Sequence, residues 1–118
     1  LDLTVRPADW DGSRKGEARE DLALAERAAD RARTNARYDA RSALLELDIA
    51  FEELDAALHD RELAERELAE ARFRFERGDI TPLGLDRAEE ELARATAAVL
   101  ASRIGVVKRW YAIDLGQY

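Results

Sequence analysis

The chain has 118 residues, enough for one domain at most, and its 38% charged share exceeds the roughly one quarter of an ordinary globular domain. The formal net charge of -7 argues against nonspecific binding to DNA or anionic lipid, which takes clustered Lys and Arg to displace counterions. No cysteine is present, so disulfides and thiolate zinc sites are excluded, and no apolar run approaches the roughly 20 residues that span a bilayer as a helix.

Leu1, Leu3 and Val5 alternate with Asp2, Thr4 and Arg6, a period of two that predicts a short strand over residues 1–7. Pro7 ends it, because proline has no ladder donor. Ala8 to Gly12 reads as a loop, with Asp9, Asp11 and Gly12 as turn formers. A long helix is predicted over 13–77, with Ser13 or Asp11 supplying the cap. No proline interrupts it and only Gly16 weakens it. That gives about 65 residues, or roughly 95 Å at the helical rise, and such a helix survives only with partners along its length.

The apolar spacing tells how this helix packs. Leu22, Ala25, Ala29, Ala32 and Ala36 recur at steps of three and four. Leu44, Leu47, Phe51, Leu54 and Leu58 do the same. Such steps average 3.5, the heptad of left-handed coiled coils. The first line is mostly alanine, which permits close approach, and the second is large and expected to hold more of the stability. Glu62–Arg66, Glu70–Arg74 and Glu90–Arg94 stand at i,i+4 in the favourable order.

The turn is predicted at 78–81. Gly78 suits the left-handed position that ends a helix, and Thr81-Pro82 suits a cap followed by the first helical residue. A second helix follows over 82–109. It carries one stripe through Leu85, Ala88, Leu92, Ala95, Val99, Ser102 and Val106. A second runs through Ala93, Ala97, Leu100, Ile104, Val107 and Tyr111. Two stripes imply contacts on two sides. The tail 110–118 reads equally as helix or strand. The expected fold is all-α: a long antiparallel coiled-coil α-hairpin with a short N-terminal β-strand segment. The second helix covers half of the first, so the other half needs another copy or further sequence. The start at Leu1 rather than Met reads as a fragment or a processed product.

Catalytic signals are weak. His59 is the single histidine, with Asp55 one turn before it. One His with one carboxylate makes neither a metal site nor a triad, and Ala56 stands where a di-iron bundle places Glu three residues before the His. Carboxylate pairs such as Glu52 with Glu53 and Glu89 with Glu90 are ordinary on solvated helix faces. Phe73 and Phe75 between Arg72, Arg74 and Arg77 suggest base stacking, but Glu70 and Glu76 offset the basic charge. The expectation is a chain that is not an enzyme and uses no cofactor or metal.

The apex of the hairpin is the sharper feature, because a turn exposes groups that the shafts hide. Its residues Arg74, Phe75, Gly78, Ile80 and Thr81, followed by Leu83, Leu85, Ala88, Leu92 and Ala95, resemble the turn of TolC-type outer-membrane efflux proteins. In that family the turn reads Arg-aromatic-x-x-Gly-x-Ile-Ser/Thr. Pro7, Trp10, Asp11, Gly12, Arg14 and Lys15 are similar to the segment before the family's long helix. Trp110 to Gly116 is similar to its aromatic-to-Leu-Gly ending. Gly84 stands where the family often has Asp, and Asp79 where an apolar residue is common. The resemblance implies a tunnel-forming periplasmic hairpin of a trimeric efflux or secretion channel in the outer membrane, the membrane part lying in further sequence. It implies docking onto a periplasmic adaptor through Arg74, Phe75, Gly78, Ile80 and Thr81. The acidic balance leads to the expectation of no nucleic-acid partner. The packing seam is expected through Leu44, Leu47, Phe51, Leu54, Leu58, Leu85, Leu92 and Val99. The alternative is a stand-alone structural coiled coil of the cell envelope that self-associates.

Overall fold

The computed structural model describes residues 7–115, with side-chain surroundings from Gly12 onward. It holds two helices, α1 (Pro7–Glu76) and α2 (Pro82–Asp114). Among the described residues there is no strand, so the all-α hairpin expected from the heptads is observed. Of the strand predicted over 1–7, residues 1–6 lie outside the described residues. Pro7 belongs to the helix instead. The loop expected over 8–12 is helical too, and Ser13 is no cap. Proline fits this start because its missing N–H falls in the first turn, where no helical carbonyl would receive one. The tail, left open between helix and strand, is helical as far as Asp114, so α2 runs past the expected end at 109, and Leu115 N–H bonds the Tyr111 carbonyl at 3.0 Å. Residues 116–118 lie outside the described residues.

The chain divides into two units, Leu1–Asp39 and Ala40–Tyr118. In the second unit the later part of α1 lies antiparallel to α2. The crossing pair Arg109–Glu46, at 2.7 Å, fixes that direction. Its core is a single seam. Ala43, Leu47, Ala50, Ala57, Ala64 and Leu68 are buried on α1, and Ala95 and Val99 on α2. Steps of four and three join them through half-buried Leu54 and Arg61, so a heptad governs the contact. Alanine stands at every seventh place, 43, 50, 57 and 64. Opposite it α2 presents Leu85, Leu92 and Val99, of which Val99 is 1% exposed. Small side chains on one helix admit large ones from the other, which is how a two-helix contact fills its space.

The seam differs from the expected one on α1. Leu47 is buried, Leu54 and Leu58 are half-buried, and Leu44 and Phe51 are 54% and 51% exposed. Two lines with 3-4 spacing share Leu47 and Leu54. One continues through Ala43, Ala50 and Ala57, the other through Leu44, Phe51 and Leu58. Periodicity fits both, and α2 packs on the alanine side. On α2 the expected Leu85, Leu92 and Val99 do face α1, while Leu100, Ile104, Val107 and Tyr111 are exposed.

In the first unit, α1 from Gly12 to Asp39 is exposed at nearly every side chain, including Leu22, Leu24 and Tyr38. Only Gly16, Ala23 and Ala29 are half-buried. Its side-chain bonds include local ones: Arg33 pairs with Asp30 at 3.2 Å, and Arg31 Nε donates to the Arg27 carbonyl at 3.4 Å. Exposed pairs of this kind contribute about 0.2–0.5 kcal/mol each.

Candidate docking tip

The turn solves the problem of ending two helices within a few residues. Gly78 takes φ +77°, a left-handed conformation that costs other residues about 1 kcal/mol or more. Gly78 N–H then donates to the Phe75 carbonyl at 3.0 Å, and Asp79 N–H to the Arg74 carbonyl at 2.8 Å. This pair of bonds is the Schellman motif, which satisfies the last carbonyls of α1. Thr81 caps the other helix from an extended backbone, φ -79° and ψ 159°, its hydroxyl accepting from Gly84 N–H at 3.2 Å. Pro82 fills the first helical turn. Ile80, half-buried, folds over Gly84: a Cβ on that glycine would lie 3.6 Å from the Cβ of Ile80. That is ordinary contact distance, so the glycine allows this packing without being demanded by it.

The charges at the tip are largely answered locally. Arg74 pairs with Glu70 at 3.1 Å, and Arg77 with Asp79 at 3.6 Å. The Arg77 guanidinium also lies over the Phe73 ring, 5.3 Å from its centroid, within cation–π range. This neutralisation weakens the base-stacking reading of Arg72, Arg74 and Arg77. Phe73, Phe75 and Leu83 are exposed there as well, beside exposed Arg72 and Glu76. The five sequence-predicted tip residues thus divide by role. Gly78 and Thr81 shape the backbone, Ile80 packs within the turn, and Arg74 and Phe75 present side chains. Phe73 and Leu83 are exposed apolar groups beyond those five. The i,i+4 spacing of Phe73 and Arg77 was the signal for one, and nothing in the spacing singled out Leu83.

His59 stands far along α1 from the turn. Its Nδ1 lies 2.8 Å from the Asp55 carbonyl and 3.8 Å from the Asp55 carboxylate. The backbone hydrogen bond, and then the Asp55 charge, raise its pKa above 6.5. Among the described residues no group of three His, Asp or Glu could hold a metal ion. No charged or polar side chain among them is buried, so no carboxylate there has the desolvated setting that tunes an acid–base catalyst. No described helix is long and apolar enough to cross a membrane.

No protein-family model matches the chain, and no curated protein or solved structure matches it either. Any reading of function therefore rests on these residues and their geometry.

Proposed function

We propose that the chain is a periplasmic helical hairpin of a TolC-type outer-membrane efflux or secretion channel, which docks a periplasmic adaptor through its turn. The observation that carries the reading is the tip. Arg74, Phe75, Gly78, Ile80 and Thr81 stand in the family's order, and the backbone they build is closed on itself at both helix ends. A turn with satisfied backbone groups presents side chains rather than unpaired peptide bonds, which suits a rigid contact with another coiled-coil tip. The exposed second stripe on α2, from Leu100 to Tyr111, supports packing beside further helices, as a tunnel wall of a trimer requires. Export in this reading is driven elsewhere, and the chain performs no catalysis.

The test combines location and contact. An antibody against this chain should detect, in the outer membrane of the source cells, a polypeptide several-fold heavier than 13.3 kDa. A photo-crosslinker at Phe75 should then capture an adaptor, and Gly78→Pro should abolish capture while helicity persists. A band near 13.3 kDa outside the outer membrane, with no adaptor captured, would overturn the reading.

A second reading is a self-associating structural coiled coil of the cell envelope. It is favoured by the exposure of Leu22, Leu24 and Tyr38 in the first unit.

A further inference from the structure

The hairpin of the second unit has two unlike sides. One is charged. Glu46, Glu53 and Arg109 line a hollow there with Ile49, and Asp60, Glu67, Glu91 and Arg94 line another with Leu63. The other side is mainly apolar. On α1, Leu44, Phe51 and Leu58 each follow a seam alanine by one residue, whereas Glu46, Glu53 and Asp60 follow it by three, so the two sets leave the seam on opposite sides. On α2, Leu100 and Val107 stand one residue past Val99 and Val106, and Leu100 lines a hollow there with Arg61 and Arg103. Leu44, Phe51, Leu100, Ile104, Val107 and Tyr111 are each between 47% and 60% exposed. Covering them together with Trp110 would bury on the order of 800 Å² per copy, the area that a specific interface takes. The side is also shaped for helices. Leu44, Phe51 and Leu58 are knobs seven residues apart. Leu100, Arg103, Ile104 and Val107 outline a hole of the kind that receives one, and the outline recurs seven residues later at Val107, Trp110, Tyr111 and Asp114, and seven earlier at Ala93, Thr96, Ala97 and Leu100.

We propose that this side docks a second copy of the chain in a two-fold four-helix bundle. The α1 of each copy lies antiparallel along the α2 of the other, with both turns at the same end. Phe51 enters the hole around Leu100 to Val107. Leu44 enters the one around Val107 to Asp114, against Trp110 and Tyr111. Leu58, already half-buried, needs only the shallow hole around Ala93 and Ala97. In this register Lys108 comes level with Asp48 of the other copy, and Asp114 with Arg41. Arg103, on the rim of the hole that Phe51 fills, faces the Phe51 ring, with Asp55 one turn away. Arg61 keeps Glu65 at 3.8 Å, and Glu62 keeps Arg66 at 3.4 Å. Arg41, Asp48, Arg103 and Lys108 form no ion pair among the described residues, so an interface can match them, which sets orientation and register. Turns at opposite ends would use the same holes but bring Arg41 level with Arg94, like charges. Knobs and holes stand on one side of one unit, so a two-fold partner makes the contact twice, and every residue in it lies within 40–115. The inference rests on the self-associating reading, to which it gives a surface, and takes nothing from the channel reading.

The test uses the whole 118-residue chain. Sedimentation equilibrium should give twice 13.3 kDa at high micromolar concentration and 13.3 kDa at nanomolar concentration. Asp48→Lys, which meets Lys108 twice in each dimer, should weaken association at least tenfold, and adding Lys108→Asp should restore it. Leu44→Ala should weaken association several-fold and leave the dilute single hairpin as stable as before. The chain has no cysteine, so Phe51→Cys with Ile104→Cys should oxidise to a covalent dimer, and Phe51→Cys alone should cross-link several-fold less. A single-chain mass at every concentration overturns the proposal and the self-associating reading together. Three outcomes overturn the proposed surface and leave that reading standing: a charge swap that fails to restore association while helicity is unchanged, equal cross-linking by Phe51→Cys alone, and a ladder of covalent species larger than a dimer. None of these outcomes bears on adaptor capture at Phe75, so this proposal and the channel reading fail separately.

Discussion

The stretch of α1 before Asp39 and the stretch after Ala40 have nearly the same helical propensity but different means of support. After Ala40 the helix buries an alanine-leucine seam against α2, and a fully enclosed Val99 sits in its centre. Before Asp39 the described side chains are nearly all in solvent. Isolated helical turns are marginal in water, because nucleation is costly and each added residue gains little. The difference teaches that helix content and helix stability are separate properties here: alanine, arginine and glutamate promote helix in both stretches, but only one stretch has apolar burial to hold it.

The comparison breaks most severely if the seam is destroyed. Val99→Asp puts an uncompensated carboxylate into a fully enclosed position, a cost of several kcal/mol. Circular dichroism should show most helix lost after Ala40. A sharper version compares neighbours on the two lines that share Leu47. Leu47→Ala should destabilise the hairpin by about 2 kcal/mol, the low end for a core leucine, whereas Leu44→Ala should stay within roughly 0.5 kcal/mol. Equal losses in urea titration would mean that Leu44 packs against a partner. At the turn, Gly78→Ala places a side chain at positive φ and should cost about 1–2 kcal/mol. Thr81→Ala removes a cap worth about 1 kcal/mol. Both should lower the thermal midpoint without dissolving either helix.

The smallest expected effect concerns His59. Its pKa is raised in the folded chain by the backbone hydrogen bond to Asp55 and then by the Asp55 charge. The sign follows: the protonated form favours the helix, so this contribution is complete below pH 6.5 and is lost as pH rises through the raised folded pKa. His59→Gln should remove that slope from a pH titration of helicity and leave the rest of the curve alone. A larger slope surviving the substitution would point to the carboxylates instead.

Much of the architecture was legible in the residues. The turn at Gly78 and Thr81-Pro82 was, because a left-handed glycine and a cap-proline pair each have one conformational reason to be there. The α2 seam through Leu85, Leu92 and Val99 was, because its large residues repeat on one line. The start of α1 was not, since Pro7 serves a strand end and a first helical turn equally well. The end of α2 was not, because Trp110 to Asp114 has no breaker before Gly116.

Local chemistry, then, determined the helices, their turn and the heptad that joins them, since propensity, capping and periodicity all act within a few residues of chain. Tertiary structure decided which side of α1 the second helix takes. Leu47 and Leu54 belong to two lines of equal spacing. Only packing discriminates between an alanine flank, which lets the axes approach around Val99, and a flank of Leu44 and Phe51, which stays in solvent.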